Sequence, residues 1–161
     1  MKNILAIGGS NSTNSINRIL AHYTASLFNE SLVKSYDLSS IELPVYSVQL
    51  EEQLGIPEVV IAFATQIDQS DLIVVSLAEH NGFLSAGFKN LLDWTSRVKG
   101  RKTFGDKPMF LMATTNEMVS EQPPGFVTDK CTMPVPILPH NTSMVFVFCP
   151  VPKTPPVLLQ A

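Results

Sequence analysis

Cysteine is scarce in this chain, with two residues among 161, and neither belongs to a CxxC or Cys/His cluster. A disulfide scaffold and a zinc site are therefore excluded as organising devices. A basic excess is also missing. Eleven Lys and Arg against fourteen Asp and Glu leave a formal charge of −3, which argues against a nucleic-acid binder. Long apolar runs are absent too. Leu72–Val75 and Val145–Cys149 have strand length, far short of the roughly 20 residues of a membrane helix. The apolar stretch Ile4–Ile7 near the start is too short for an export signal and runs straight into Gly8-Gly9-Ser10-Asn11-Ser12. The expected location is cytoplasmic, with neither membrane nor nucleic acid as partner. Hydrophobic residues at 45% are sufficient for a real core.

The first 114 residues alternate strand and helix patterns. Ile4–Ile7 reads as a buried strand ending in two glycines. Ile16, Ile19, Leu20, Tyr23 and Leu27 recur at helical spacing and predict a helix over about 15–29 that buries this stripe. A second strand is expected over Leu32–Leu38, followed by a loop through Leu43-Pro44-Val45-Tyr46. Pro57 suits the first position of a helix whose apolar stripe is Ile56, Val59, Val60, Phe63 and Ile67. Asp71–Leu77 is the strongest strand signal. Phe88, Leu91, Leu92, Thr95 and Val98 then line one helix face, with Asp93 and Arg97 expected to pair at i,i+4. Pro108–Ala113 gives a fourth strand. This alternation predicts an α/β fold, a flavodoxin-like doubly wound parallel sheet of order 2-1-3-4-5. A ligand is expected at the carboxyl ends of the first and third strands.

After residue 115 the character changes. Nine of twelve prolines fall in the last 46 residues, alongside the single glycine Gly125. Proline this dense breaks helices. The chain therefore divides into a core, 1–115, and an atypical proline-rich segment, 116–161, in which only 144–149 reads as a strand. On this pattern the doubly wound sheet is incomplete, because no final helix can be drawn. Cys131 and Cys149 have no assignable role there.

Two segments carry chemistry. Gly8-Gly9-Ser10-Asn11-Ser12-Thr13-Asn14-Ser15-Ile16-Asn17 joins the first strand to the first helix. Its hydroxyls, side-chain amides and helix-start N–H groups can cradle a phosphate without lysine. The same residues are also ordinary capping and turn formers. Neither a P-loop nor GxGxxG is present. The second segment, Ala78-Glu79-His80-Asn81-Gly82-Phe83, follows the third strand. Its backbone could hydrogen-bond the polar edge of a flat heterocycle. Glu79 reads either as a general base or as a solvated carboxylate, and His80 as a proton carrier or a packing residue.

Gly9-Ser10-Asn11-Ser12-Thr13-Asn14-Ser15-Ile16-Asn17 resembles the G-S-x-R-x-x-S-x-N loop of the NADPH-dependent FMN reductases, a flavodoxin-like family of quinone, chromate and azo-dye reductases. Leu43-Pro44-Val45-Tyr46 is similar to its L-P-L-[FY] loop. Ala78–Gly82 followed by Gly87-Phe88-Lys89-Asn90-Leu91-Leu92-Asp93-Trp94 resembles its P-E-Y-N…G-x-[LF]-K-N-x-[IL]-D-W block. The resemblance spans about 2–114. It implies FMN held at the phosphate by Ser10, Ser12, Ser15, Ile16 and Asn17, with the flavin ring against Ala78, Glu79, His80, Asn81 and Gly82. It also implies NADPH or NADH as co-substrate and a small electron acceptor: a quinone, free flavin, metal oxyanion or azo compound. The chemistry is then borne by the flavin, and no catalytic acid or base is assigned. Lys89-Asn90 and Asp93-Trp94 are expected to be structural or at the interface of a homodimer or homotetramer.

Three departures stand out. Ser12 replaces an arginine, Ala78 and His80 replace proline and tyrosine, and Asn116-Glu117-Met118-Val119 stands where the family has S-P-G-x-x-G-G. The last suggests a reading-frame change near codon 115. Two other readings of the chain follow, a flavodoxin-like electron carrier and a degenerate, frame-altered, non-catalytic product.

Overall fold

The computed structural model describes residues 1–81, 83–115 and 143–149. Its elements run β1 (Lys2–Gly9), α1 (Ile16–Ser26), β2 (Ser31–Tyr36), a single 3-10 turn (Leu38–Ser40), α2 (Val48–Leu54), α3 (Glu58–Gln69), β3 (Leu72–His80), β4 (Phe83–Leu84), α4 (Ala86–Thr95), β5 (Met109–Thr115) and β6 (Ser143–Cys149). The strand order is β2-β1-β3-β5-β6, with the two-residue β4 attached to β3. Setting β4 aside, this is the expected 2-1-3-4-5 order of a flavodoxin-like sheet. One feature differs. β1, β2, β3 and β5 are mutually parallel, but β6 runs antiparallel to β5, pairing Thr115 with Ser143 and Met109 with Cys149. β6 is thus an antiparallel, hydrogen-bonded neighbour of β5 at the end of the sheet. The chain segments 116–142 and 150–161, including Asn116-Glu117-Met118-Val119, lie outside the described residues.

The period-two alternation of the strands divides two cores. Leu5, Ile7, Ile73 and Val75 face the cluster that contains Val60, Phe63 and Ile67 of α3 and Phe88, Leu91 and Trp94 of α4. Ile4, Ala6, Val74, Phe110 and Met112 face Leu20, Ala21 and Ala25 of α1. Burial on both faces explains why β1 and β3 read as continuous apolar runs.

The helix stripe expected for α1 is corrected by this geometry. Ile19, Tyr23 and Leu27 are 66%, 39% and 52% exposed, while Asn17, Leu20, Ala21, Thr24 and Ala25 are buried. The cause is close approach. A Cβ on Gly8 would lie 2.6 Å from both the Cα and the N of Arg18, so the start of the helix lies directly against the strand. Of the expected stripe, Leu20 is buried and Ile16 half-buried, but hydropathy alone placed Ile19, Tyr23 and Leu27 on the wrong side. The helix also ends at Ser26, before the expected residue 29.

Other boundaries shift for local reasons. β2 stops at Tyr36 because Asp37 accepts from the Ser39 N–H and opens the 3-10 turn. Pro57 sits one position before α3 begins, as its N-cap. Between Tyr46 and Pro57, where no element was expected, lies α2, capped by Ser47 and without a buried residue, which is why no apolar period announced it. Asp93 pairs with Lys89 rather than Arg97, and Arg97 reaches across to Glu51.

One core hydroxyl is unusual. Tyr36 is only 7% exposed and its ring lies 4.5 Å from that of Phe63, yet its OH has no hydrogen-bond partner among the described residues. Burial pushes this phenol up to about 12. The folded protein then holds the proton more tightly than the unfolded chain, so this contribution to stability is present below pH 10 and is lost as pH rises toward 12. Tyr36→Phe removes an unsatisfied polar atom. It should raise stability in urea by about 1 kcal/mol and move the alkaline unfolding midpoint to higher pH. A variant less stable than the parent, with an unshifted alkaline midpoint, contradicts this account.

Candidate flavin site at the carboxyl edge of the sheet

β1, β2, β3 and β5 all deliver their carboxyl ends to one edge. The edge is not level, because β3 is longer than its neighbours. β1 follows it as far as Leu77 and β5 as far as Ala78. Glu79 and His80 continue beyond the parallel sheet and pair instead with Leu84 and Phe83 of β4. The residues expected to form a loop after the third strand are therefore in part its projecting end, Glu79 and His80, paired antiparallel with β4. Asn81, with φ of +54°, occupies the left-handed region that asparagine tolerates. The Asn81-Gly82 dipeptide is itself a hairpin-turn signal in the sequence. Gly82 lies outside the described residues. Ala78 is buried, Glu79 half-buried, and His80 and Asn81 exposed.

The β1–α1 connection lies beside this hairpin. Ser10 is buried and its Oγ accepts from the Ser12 N–H at 3.2 Å. Ser12 is exposed, and its Oγ accepts from the Asn14 N–H at 3.3 Å. Buried Ser15 caps α1 by accepting from the Arg18 N–H at 3.1 Å. Ile16 follows, half-buried, as the first helical residue. Asn17 turns inward, and its Oδ1 accepts from the Ser76 Oγ of β3 at 2.7 Å. A hydroxyl buried in the middle of the sheet needs such a partner, so this bond also fixes where α1 sits over β3.

A second bond ties the two segments together. Ser85 is almost fully buried, its Oγ donating to the Gly9 carbonyl at 2.6 Å and accepting from the Phe88 N–H at the start of α4. Two residues further on, Gly87 lies so close to Asn11 that an added Cβ would meet that side chain at 3.3 Å. The structure thus brings Ser10, Ser12, Ser15, Ile16 and Asn17 onto the connection that adjoins Ala78, Glu79, His80 and Asn81. Sequence reasoning missed Ser76 and Ser85, although a serine just before an apolar helical period is itself a capping signal.

The Leu43–Tyr46 loop is held against α4. Asn90 accepts from the Tyr46 N–H at 2.9 Å and donates to the Pro44 carbonyl at 3.0 Å, where the Trp94 indole N–H also donates at 2.8 Å. The Tyr46 ring meets Trp94 edge-on at 5.2 Å. Tyr46 also donates to Glu51, and this bond, together with Arg97, holds the Glu51 carboxyl below its usual range. Asn90 and Trp94 are therefore structural within the chain, joining the loop after β2 to the helix after β3.

A sheet of this order, with a serine-rich turn and a hairpin side by side at its topological switch, defines a flavodoxin-like α/β protein. The chain belongs to the NADPH-dependent FMN reductase family, whose model matches residues 2–120. It is 35% identical over 113 residues to a 2-hydroxy-1,4-benzoquinone reductase from Burkholderia sp., covering 70% of this chain and 60% of that protein. Against the quinone reductase of Escherichia coli (strain K12) identity is 28% over 112 residues, covering 70% and 59%. The chain thus spans about 60% of the length of these relatives. Among solved structures, the flavoenzyme NAD(P)H:(acceptor) oxidoreductase FerB of Paracoccus denitrificans shares the fold, with a TM-score of 0.60 at 23% identity. The match covers 74% of this chain and 64% of FerB.

Ser85→Ala should cost about 1–3 kcal/mol in urea unfolding, because it removes a helix cap and orphans a buried carbonyl together. Ser47→Ala, at the cap of the exposed α2, should cost visibly less. Equal losses at the two positions would show that the Ser85–Gly9 bond adds nothing.

Proposed function

We propose that the chain binds FMN at this carboxyl edge and uses it to pass reducing equivalents from NADH or NADPH to a small acceptor, with a quinone as the leading class. The observation that carries the reading is the tethering of the Ser10–Ser15 turn to the β3–β4 hairpin through Ser85 and Gly9. Two half-sites, one suited to an anion and one to a flat ring, are thereby held at a fixed separation. Family membership and the quinone reductases among the relatives support the same assignment.

The residues present fit a mononucleotide. No carboxylate occurs between Gly8 and Asn17, so nothing in the turn repels a phosphate. Ser10, Ser12 and Ser15 supply hydroxyls, and the first turn of α1 supplies N–H groups whose helix dipole favours an anion. The hydroxyls of Ser10 and Ser15 already accept from backbone N–H groups, which leaves their own O–H free to donate outward. Ala78 to Asn81 provide strand-end backbone for the polar edge of the ring, and Ala78 adds no bulk against it. When bound, FMN supplies the hydride-accepting chemistry. The chain binds and orients, and no side chain is assigned as an acid or base. We place the protein in the cytoplasm, as a homodimer or homotetramer.

Purified protein should be yellow and should bleach on anaerobic addition of NADPH or NADH, with colour returning on addition of a benzoquinone. Yellow protein that neither coenzyme bleaches would assign it instead as an electron carrier, and colourless protein with no FMN affinity would overturn the site. Ser10→Asp places a negative charge in the turn and should weaken FMN binding by at least about tenfold. An unchanged FMN Kd, read by flavin fluorescence, would move the phosphate elsewhere.

A further inference from the structure

Arg18 is the cation nearest to the serine-rich turn in sequence, and its side chain is committed in two directions. Nη2 donates to the carbonyl of Thr13, in the middle of the turn, at 2.9 Å, while Nη1 pairs with the carboxylate of Asp37. Asp37 is itself fixed by Ser39, whose N–H and Oγ both donate to Oδ1 at 3.0 and 2.7 Å. The Ser39 hydroxyl, with Arg18 beside it, holds this carboxyl below its ordinary range. The backbone of Arg18 is equally constrained, because it lies directly against Gly8. The guanidinium therefore bridges the turn after β1 to the end of β2 from a helix position that cannot shift.

The ends of the turn are held by the Ser85–Gly9 bond and the Ser15 cap, but its middle, Ser12 to Asn14, has few side-chain bonds among the described residues. Its internal bonds, Ser12 N–H to Ser10 and Asn14 N–H to Ser12, are long at 3.2 and 3.3 Å and entirely local. Thr13 and Asn14 are exposed. A solvent-facing ion pair contributes little to global stability. A planar fork that fixes a carbonyl and a carboxylate at once does, however, define geometry, and an ammonium cannot copy it.

We propose that Arg18 is a positioning residue for the phosphate of the flavin mononucleotide. It acts through the Thr13 carbonyl to hold the turn in its binding shape, and Asp37 both anchors it and neutralises its charge. This inference rests on the FMN reading above. The opposite model makes Arg18 a direct phosphate cation that substitutes for the arginine missing at position 12.

Flavin fluorescence titrations with FMN and with riboflavin, which lacks the phosphate, separate the two. Arg18→Met should raise the FMN Kd about tenfold and change the riboflavin Kd less than about twofold, because only the phosphate contact loses its preorganised partner. Arg18→Lys should not restore FMN affinity. Asp37→Asn should also weaken FMN binding, since the guanidinium loses its anchor. Restoration by lysine, or tighter FMN binding by Asp37→Asn, would establish the direct cation and overturn the proposal. Equal losses for both flavins would reduce Arg18 to a stability residue and overturn it as well. A parent protein that binds neither flavin would sink the FMN reading instead. In that event, amide exchange at Ser12 and Asn14 still decides the positioning role: it should accelerate in Arg18→Met, and unchanged exchange would refute the clamp.

Discussion

The approach of α1 to β1 at Gly8 is the constraint on which the carboxyl edge depends. With no side chain at that position, the helix starts in contact with the strand, and its sheet-facing surface must be built from Asn17, Leu20, Ala21, Thr24 and Ala25. The same proximity lets Asn17 reach Ser76 across the sheet and lets Arg18 reach both Thr13 and Asp37. Position, polarity and helix face are thus consequences of one missing methyl group. A larger residue at 8 would require a backbone shift rather than a rotamer change, because the atoms it would meet are the Cα and N of Arg18.

On the opposite face the corresponding device is polar. Asn90 and the indole of Trp94 take up the backbone groups of Leu43–Tyr46, a segment with no ladder of its own. Each of these groups would otherwise need water or remain unsatisfied near a packed helix. The network gives Asn90 and Trp94, four residues apart on α4, a shared role beside the buried Phe88, Leu91 and Thr95. Spacing of i,i+4 places both on one side, where a single extended loop can meet them.

Much of the fold could be read from the chain because β1, β3 and β5 are apolar on both faces and each is punctuated by a helix signal. The strand order followed from chirality and connection rules rather than from any single residue. The antiparallel setting of β6 could not be read, because direction is decided by the connection, and 116–142 carries no crossover helix pattern to argue from. The face of α1 was misjudged because hydropathy ignores how closely two elements approach. At the site, the serine-rich turn and the residues after β3 were legible as segments. Their mutual tether was not, since Ser85 and Gly9 lie 76 positions apart and neither announces the other. Ser76 was hidden for the opposite reason, being a lone hydroxyl inside an apolar strand whose partner sits 59 positions earlier.

The extension of β3 past its neighbours has a thermodynamic consequence. The strand whose end carries half of the proposed site is also the central strand of the sheet, with Ile73, Val74 and Val75 fully enclosed. Occupancy of that site is thereby linked to the global folding equilibrium, not to the fraying of a peripheral segment. A guest held there adds RT ln(1 + [L]/Kd) to the cohesion of the whole sheet, about 2.7 kcal/mol at a hundredfold excess over Kd. For a chain of this size such an increment is a sizeable share of the total, so a ligand bound at the proposed site would act as a structural member of the sheet.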